Sequence, residues 1–286
     1  MRTRFAASIA VLALVLAGCS SSATPVPSVP ASTTAPASKA PATAASATAA
    51  PANLTIYGAS SLTAVLAKVK TTYEAANPGT TLTISTDSST ALETKIEQGA
   101  PADVFLSADT ANPQKLVDDG YGVGPVTKFA GNLLTIIVPL GNPAGIETPA
   151  DLAKSGVKIV TCGPTVPIAK YAAQLVANLA TQPGYPADFV AKYNANVVSQ
   201  QDNVSAVVSQ IALGDGDAGI VYATDAKTST QVTTVAIPAA ANVPATYGGV
   251  VVKASTNLAA AQAFLTWLAG PDGQAVLASF GFLPAP

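Results

Sequence analysis

The sequence contains no histidine and, after Arg2 and Arg4, no arginine. Cysteine occurs only at Cys19 and Cys162, and charged residues make up 10% of the 286 residues. Without imidazole, the chain has no Ser-His or Cys-His catalytic pair and no imidazole-based zinc site. These absences argue against an enzyme. They leave hydroxyls, carboxylates, lysines and the backbone as the groups that can act.

The charge balance is mildly acidic. Beyond the two arginines, the sequence has 12 lysines and 16 acidic residues, a net charge of −4. Because a protein that binds nucleic acid needs a basic face, no nucleic-acid partner is expected. Asp215 and Asp217 suggest calcium, but the further oxygen ligands and the closing Glu of a calcium loop are missing. A solvated turn is expected there, and no site for a free metal cation.

The N-terminus has the features of an export signal. Two arginines precede an apolar stretch that is too short to cross a bilayer and that ends in Leu16-Ala17-Gly18-Cys19. This string resembles the bacterial lipobox, in which the cysteine is acylated and becomes the first mature residue. We therefore expect a signal peptide at 1–18 and a lipid on Cys19 that anchors the protein to the outer face of the cytoplasmic membrane. Secretion with Cys19 removed is the alternative.

Residues 19–52 are nearly all Ser, Thr, Pro and Ala after the cysteine. Such a segment cannot bury a core, so it is predicted to be a disordered tether, with O-linked glycosylation as an open possibility. If Cys19 is acylated, Cys162 has no partner for an intramolecular disulfide. Cys162 is then expected to be a buried thiol on a strand.

The rest of the chain alternates between strand and helix patterns, which predicts an α/β fold with parallel or mixed sheets. The segment 54–57 reads as a strand, and apolar residues then recur at helical spacing from Leu62 to Tyr73. A second lobe is predicted to begin near 132. The tail 257–282, with Phe264 and Trp267 on its apolar side, is predicted to be helical and to pack on the first lobe.

Several predicted helices begin directly after a strand, where ligands of open α/β sheets collect. Ser61 and Ser89 lie at two of these junctions, and the stretches 166–168 and 202–204 lie at two more. A helix N-terminus offers unpaired N–H groups and the positive end of the helix dipole, and a serine adds a hydroxyl donor. The pattern predicts an anion site built from neutral donors. Simple helix capping is the alternative at each junction.

Five segments occur together in a characteristic order: GASSLT at 58–63, SST at 88–90, IEQGAPADVFLSAD at 96–109, VP at 166–167 and GIVY at 219–222. In this order the chain resembles the molybdate-binding proteins of bacterial ABC importers. The resemblance implies a two-lobed periplasmic-binding-protein fold of type II, each lobe a mixed sheet flanked by helices, joined by a hinge. It implies one lobe at 53–131 plus 238–286 and the other at 132–237.

By position, the resemblance implies a binding site for molybdate or tungstate. Ser61 and Ser89 would each offer a hydroxyl and a backbone N–H, Ile168 and Val204 a backbone N–H, and Tyr222 its phenol. Ile168 replaces the family's usual small residue. Two charged residues lie close by in the sequence, outside this set. Asp87 is expected to cap a turn, or else to accept a hydrogen bond from a protonated anion such as hydrogen phosphate, and Lys170 is expected to be solvated.

The expected function is therefore that of an extracytoplasmic solute-binding protein that delivers an oxyanion to a membrane permease of an ABC importer. A monomer without a cofactor is expected. With no titratable cation among the donors, binding is expected to be nearly flat from about pH 6 to pH 9. The alternatives are a binding protein for sulfate or phosphate, and a surface enzyme or adhesion module on the same fold.

Overall fold

The computed structural model describes residues 51–286. The expected signal peptide, the lipid on Cys19 and nearly all of the tether lie outside the described residues. In the described part, no helix is long and apolar enough to cross a membrane.

The described chain forms ten strands and eight α-helices. The strands are β1 (Asn53–Ala59), β2 (Thr81–Asp87), β3 (Val104–Ser107), β4 (Gly122–Asn132), β5 (Leu134–Pro139), β6 (Ile159–Cys162), β7 (Val197–Gln201), β8 (Ala218–Tyr222), β9 (Val232–Val235) and β10 (Ala245–Val252). The helices are α1 (Thr63–Ala76), α2 (Ser89–Glu97), α3 (Ala111–Asp118), α4 (Pro167–Ala180), α5 (Phe189–Ala195), α6 (Val204–Leu213), α7 (Leu258–Ala269) and α8 (Pro271–Ser279). Three short 3-10 helices span Ser60–Leu62, Pro149–Ala153 and Asp225–Thr228.

The strands form two mixed sheets of five with the same pattern of directions. The first sheet has the order β2-β1-β3-β10-β4, in which β2, β1 and β3 run parallel and the other pairs are antiparallel. The second has the order β7-β6-β8-β5-β9, in which β7, β6 and β8 run parallel. Helices flank both sheets, which confirms the fold class predicted from the sequence.

The chain passes between the sheets twice. It leaves the first sheet at Asn132, enters the second at Leu134, and returns between Val235 and Ala245. Because each sheet keeps its parallel strands together, the carboxyl ends of β1 and β2 in one sheet and of β6, β7 and β8 in the other supply the βα junctions.

The C-terminal helices pack on the first sheet's side of the molecule, as predicted. The ring of Tyr73 on α1 lies 5.0 Å from the ring of Phe264 and 5.0 Å from that of Trp267, both on α7 and both edge-on. Edge-to-face aromatic pairs are stabilising beyond their buried area. This aromatic cluster joins α7 to α1.

Candidate functional site

The five residues predicted to bind an anion line one small cavity between the two sheets. Its volume is about 10 Å³, close to the space that a single water molecule needs. The lining residues are Ala59, Ser60, Ser61, Ser88, Ser89, Ala108, Val166, Pro167, Ile168, Val204 and Tyr222. The structure therefore brings all five predicted residues together.

The first sheet contributes two serines from consecutive βα junctions. Ser61 lies in the 3-10 helix that follows β1, and Ser89 is the first residue of α2. The capping role at α2 belongs to Ser88, whose Oγ accepts from the N–H of Ala91 at 3.2 Å. The Ser89 hydroxyl is thus not used as a helix cap.

Both serine hydroxyls are oriented by donors from the protein. Tyr247 Oη donates to Ser61 Oγ at 3.0 Å, and the N–H of Ala108 donates to Ser89 Oγ at 3.0 Å. Ser61 is 7% exposed and Ser89 is 1% exposed. Since each Oγ already accepts a hydrogen bond, its own proton is free to point elsewhere, and each serine can act as a donor toward the cavity.

The second sheet contributes two helix N-termini. Pro167 begins α4, which places Ile168 in the first turn, and Val204 begins α6. Asn203 caps α6 through a bond from the N–H of Ala206 to its Oδ1 at 3.1 Å. First-turn N–H groups have no acceptor within their own helix and lie at the positive end of the dipole. The side chains of Ile168 and Val204 are buried, so the backbone is the polar part of these residues at the cavity.

The Tyr222 hydroxyl has no hydrogen-bond partner among residues 51–286. Its side chain is 1% exposed at the end of β8. Burial, together with the neighbouring Tyr247 and Tyr171, raises the pKa of Tyr222 well above its usual value, so the phenol keeps its proton. An unpaired buried hydroxyl costs about 1–3 kcal/mol. A ligand atom that accepts a hydrogen bond would remove this cost.

No charged side chain lines the cavity within the described residues. Asp87 borders a separate open cleft, where it accepts from the N–H of Ser88 at 2.8 Å and from Lys95 Nζ at 3.0 Å. Burial opposes its ionisation, but these two bonds, the charge of Lys95 and the Asn203 side chain together outweigh burial and lower the pKa of Asp87. Lys170 borders another cavity, behind α4. The structure thus favours the turn role of Asp87 over that of an acceptor for a protonated anion.

Two hydrogen bonds join the sides of the cleft beside the cavity. Thr90 Oγ1 on α2 donates to the carbonyl of Thr165 at 2.7 Å, and Ser205 Oγ on α6 donates to the carbonyl of Ser60 at 3.2 Å. Both link residues around the first sheet to residues around the second. The structure is therefore closed around the cavity.

Asp225 is a buried ionisable residue that the sequence analysis did not consider. It is 3% exposed, and its Oδ2 accepts from the N–H of Tyr222 at 3.2 Å. Burial raises the pKa of Asp225 to about 7, a rise that the bond from Tyr222 only partly offsets. No sequence pattern marks this residue. The sequence analysis expected anion binding to be nearly independent of pH because it identified no group that titrates near neutrality. Asp225, hydrogen-bonded to the backbone of Tyr222, is such a group.

Two further expectations concern residues outside the cavity. Cys162 is buried, and burial together with Asp225 and Asp202 raises the pKa of its thiol to about 12, so it is an unreactive buried thiol as expected. Asp217 Oδ2 accepts from the N–H of Lys158 at 2.7 Å. This bond gives Asp217 a structural role where β6 begins.

Comparison with known proteins gives a consistent picture. The model of the family described as bacterial extracellular solute-binding protein matches residues 54–283. The molybdate-binding protein ModA of Mycobacterium tuberculosis is 32% identical over 231 residues, covering 80% of this chain and 84% of that protein.

Two solved structures share the fold. The Azotobacter vinelandii periplasmic molybdate-binding protein aligns with a TM-score of 0.68 at 24% identity, over 80% of this chain and 98% of that one. The Mycobacterium tuberculosis sulfate-binding protein SubI aligns with a TM-score of 0.73 at 23% identity, over 81% and 86%. At these identities the likeness establishes the fold, which is shared by proteins named for different oxyanions.

The titration of Asp225 predicts a pH-dependent stability. Its folded pKa of about 7 lies above the unfolded value of about 4, so the folded state binds the proton more tightly. Protonated Asp225 therefore adds up to about 4 kcal/mol to the free energy of unfolding below about pH 4. This stabilisation is lost as the pH rises to about 7. We expect Asp225→Asn to be more stable than the wild type at about pH 8 and similar to it at about pH 4.

Thermal unfolding at several pH values measures this difference. Asp215→Asn, at an exposed turn, is the matched control and should follow the wild type throughout. A constant difference between Asp225→Asn and the wild type at every pH would contradict the prediction.

Proposed function

Because the chain belongs to the family of bacterial extracellular solute-binding proteins, we propose that it captures molybdate outside the cell and delivers it to the permease of an ABC importer. The relative named for molybdate supports this ligand, since it covers most of the chain at 32% identity. The observation that carries the proposal is the unpaired hydroxyl of Tyr222, which lies in a cavity also lined by Ser61 and Ser89.

The donors suit an anion that only accepts hydrogen bonds. Molybdate is a tetrahedral dianion near neutral pH, and none of its four oxygens carries a proton. Ser61, Ser89 and Tyr222 supply hydroxyl protons, and first-turn N–H groups on both sides supply the rest. A hydrogen bond to a charged partner contributes about 1.5–3 kcal/mol. Several such bonds can replace the anion's hydration without a cationic side chain.

Binding is proposed to couple to lobe closure. We assign one lobe to 53–131 plus 238–286 and the other to 132–237, so that each lobe holds one sheet. The two serines lie on the first lobe, and Ile168, Val204 and Tyr222 lie on the second. An anion that contacts both walls binds the closed form better than the open form, and this differential affinity shifts the equilibrium toward closure.

The proposal extends to the rest of the chain. Family membership implies export and an interaction with a membrane permease. We further propose that a lipid on Cys19 anchors a monomer to the outer face of the cytoplasmic membrane, and that tungstate binds as molybdate does. The alternative ligands are sulfate and phosphate, and the shared fold of SubI is the observation that keeps sulfate in the test.

Calorimetric titration of residues 51–286 with molybdate, tungstate, sulfate and phosphate tests the ligand. We expect molybdate and tungstate to bind similarly and sulfate to bind at least about tenfold more weakly, a difference of about 1.4 kcal/mol. Because all three anions carry the same charge, the site can distinguish them by size, and the bond from the central atom to oxygen is longer in molybdate and tungstate than in sulfate. Equal or tighter binding of sulfate or phosphate would reject molybdate as the ligand.

Removal of single hydroxyls tests the site. Ser61→Ala, Ser89→Ala and Tyr222→Phe should each weaken molybdate binding by about 1.5–3 kcal/mol, because each removes one donor to a charged ligand. Ser209→Ala, an exposed serine on α6, and Tyr73→Phe, a tyrosine in the core beside α7, are the controls. If the three site variants bind as tightly as the controls while folded, the site lies elsewhere.

Replacement of Cys19 tests the anchor. The wild-type protein should partition with the membrane fraction, and Cys19→Ser should release it, because acylation needs the thiol. Mass spectrometry of the mature N-terminus identifies the modification. A mature chain that begins at another residue, or an unmodified Cys19, would contradict the anchor.

A further inference from the structure

A chain of hydrogen bonds leads from the crossover between the sheets to the anion cavity. The N–H of Leu133 donates to Asn132 Oδ1 at 3.0 Å, and Asn132 Nδ2 lies 3.4 Å from Tyr247 Oη and 2.9 Å from Thr224 Oγ1. Tyr247 Oη in turn lies 3.0 Å from Ser61 Oγ. Of these residues, only Ser61 lines the anion cavity.

The direction of every bond in this chain follows from its first member. A backbone N–H can only donate, so the oxygen of the Asn132 amide must face Leu133 and its nitrogen must face Tyr247. That nitrogen can only donate, so Tyr247 Oη accepts from it, and among the described residues Ser61 Oγ is the remaining partner for the Tyr247 proton. Ser61 Oγ therefore accepts, and its proton is left for the cavity.

Burial prevents water from reversing this direction. Asn132 is 1% exposed and Tyr247 is 0% exposed. The Tyr247 ring packs against the rings of Phe129, Phe282 and Tyr222 at centroid distances of 6.1, 5.5 and 5.5 Å. A polar group buried in such surroundings must find its hydrogen-bond partners within the protein. The hydrogen bonds from Asn132 to Tyr247 and from Tyr247 to Ser61 therefore keep their directions.

We infer that Tyr247 and Asn132 are positioning residues that hold the Ser61 hydroxyl as a donor and thereby set the selectivity of the site. The inference rests on the proposed function, because it needs an oxyanion in the cavity. A fully ionised oxyanion presents only acceptors and matches this donor. An anion that still carries a proton, such as hydrogen phosphate, needs an acceptor at one oxygen, which an oriented Ser61 does not provide.

The same residues connect selectivity to closure. Asn132 ends β4 of the first sheet, whereas Thr224 follows β8 of the second. The bond from Asn132 Nδ2 to Thr224 Oγ1 therefore joins the two sheets at the crossover. The Asn132 amide that orients Tyr247 is thus held from both sheets in the closed form.

Titration of Tyr247→Phe with molybdate and phosphate tests the inference. At about pH 8 phosphate is mainly the hydrogen phosphate dianion, so both ligands carry the same charge. Without the Tyr247 hydroxyl, Ser61 can rotate and accept. Molybdate affinity should fall about tenfold, the loss expected for one misoriented donor to a charged group. Hydrogen phosphate should lose less, so the preference for molybdate over phosphate should shrink.

Tyr222→Phe is the matched control, because it removes the same atom from a tyrosine that faces the cavity directly. It should weaken both anions by a similar factor and leave their ratio unchanged. A purely structural role for Tyr247 would give the same result in Tyr247→Phe, with both affinities reduced equally. That outcome, or unchanged affinities, would overturn the inference.

Asn132→Asp provides a second test. A carboxylate at this position still accepts from Leu133 but cannot donate, so it draws the Tyr247 proton away from Ser61 and reverses the chain. The added charge repels both dianions alike, so the ratio of their affinities isolates the reversal. We expect this ratio to move toward phosphate, and a ratio equal to that of the wild type would contradict the inference. Failure of the wild type to bind molybdate would instead reject the proposed function.

Discussion

The site depends on hydrogen-bond donors that converge on a small cavity lined by no charged side chain of the described residues. Tyr222 has a buried hydroxyl without a partner among the described residues, and Ser61 and Ser89 each accept one bond from the protein and retain a proton. Neutral donors contribute fully to binding only where water is excluded and each donor is fixed in direction. Both conditions require two walls that close on each other.

The fold supplies those walls through its topology. Two sheets of the same strand pattern turn the carboxyl ends of their parallel strands toward one cavity, and three α-helices begin there. Asn132, where the chain leaves the first sheet, lies in the hydrogen-bond network that reaches Ser61. A change at this crossover therefore reaches the Ser61 hydroxyl through these hydrogen bonds.

Much of this was predictable because the βα junctions carry local signals. The strand and helix periodicities predicted the mixed sheets, and the turns at Ser61 and Ser89 predicted donors at helix starts. The strand β4 (Gly122–Asn132) was missed, because its glycines and Pro125 do not favour a strand and its pairing with β10 comes from tertiary contacts. The helices α3 and α5 were missed as well.

The polar partners of the site were not predictable. Tyr247 contacts Ser61 from 186 residues away in the sequence, and Asp225, although only three residues after Tyr222, lies in no motif. Asp225 is notable only because burial raises its pKa to about 7, and burial is a property of the folded chain. A linear pattern can mark a donor at a helix start, but it cannot show which buried residue orients that donor or shares its surroundings.

The most direct test of the account is a crystal structure with molybdate bound, with anomalous diffraction measured at the molybdenum absorption edge. The account predicts one strong anomalous peak in the cavity, with oxygens of the anion within hydrogen-bond distance of Ser61 Oγ, Ser89 Oγ and Tyr222 Oη and with no lysine in contact. A peak outside this cavity, or an anion held by a lysine side chain, would contradict the claim that neutral, oriented donors bind the ligand.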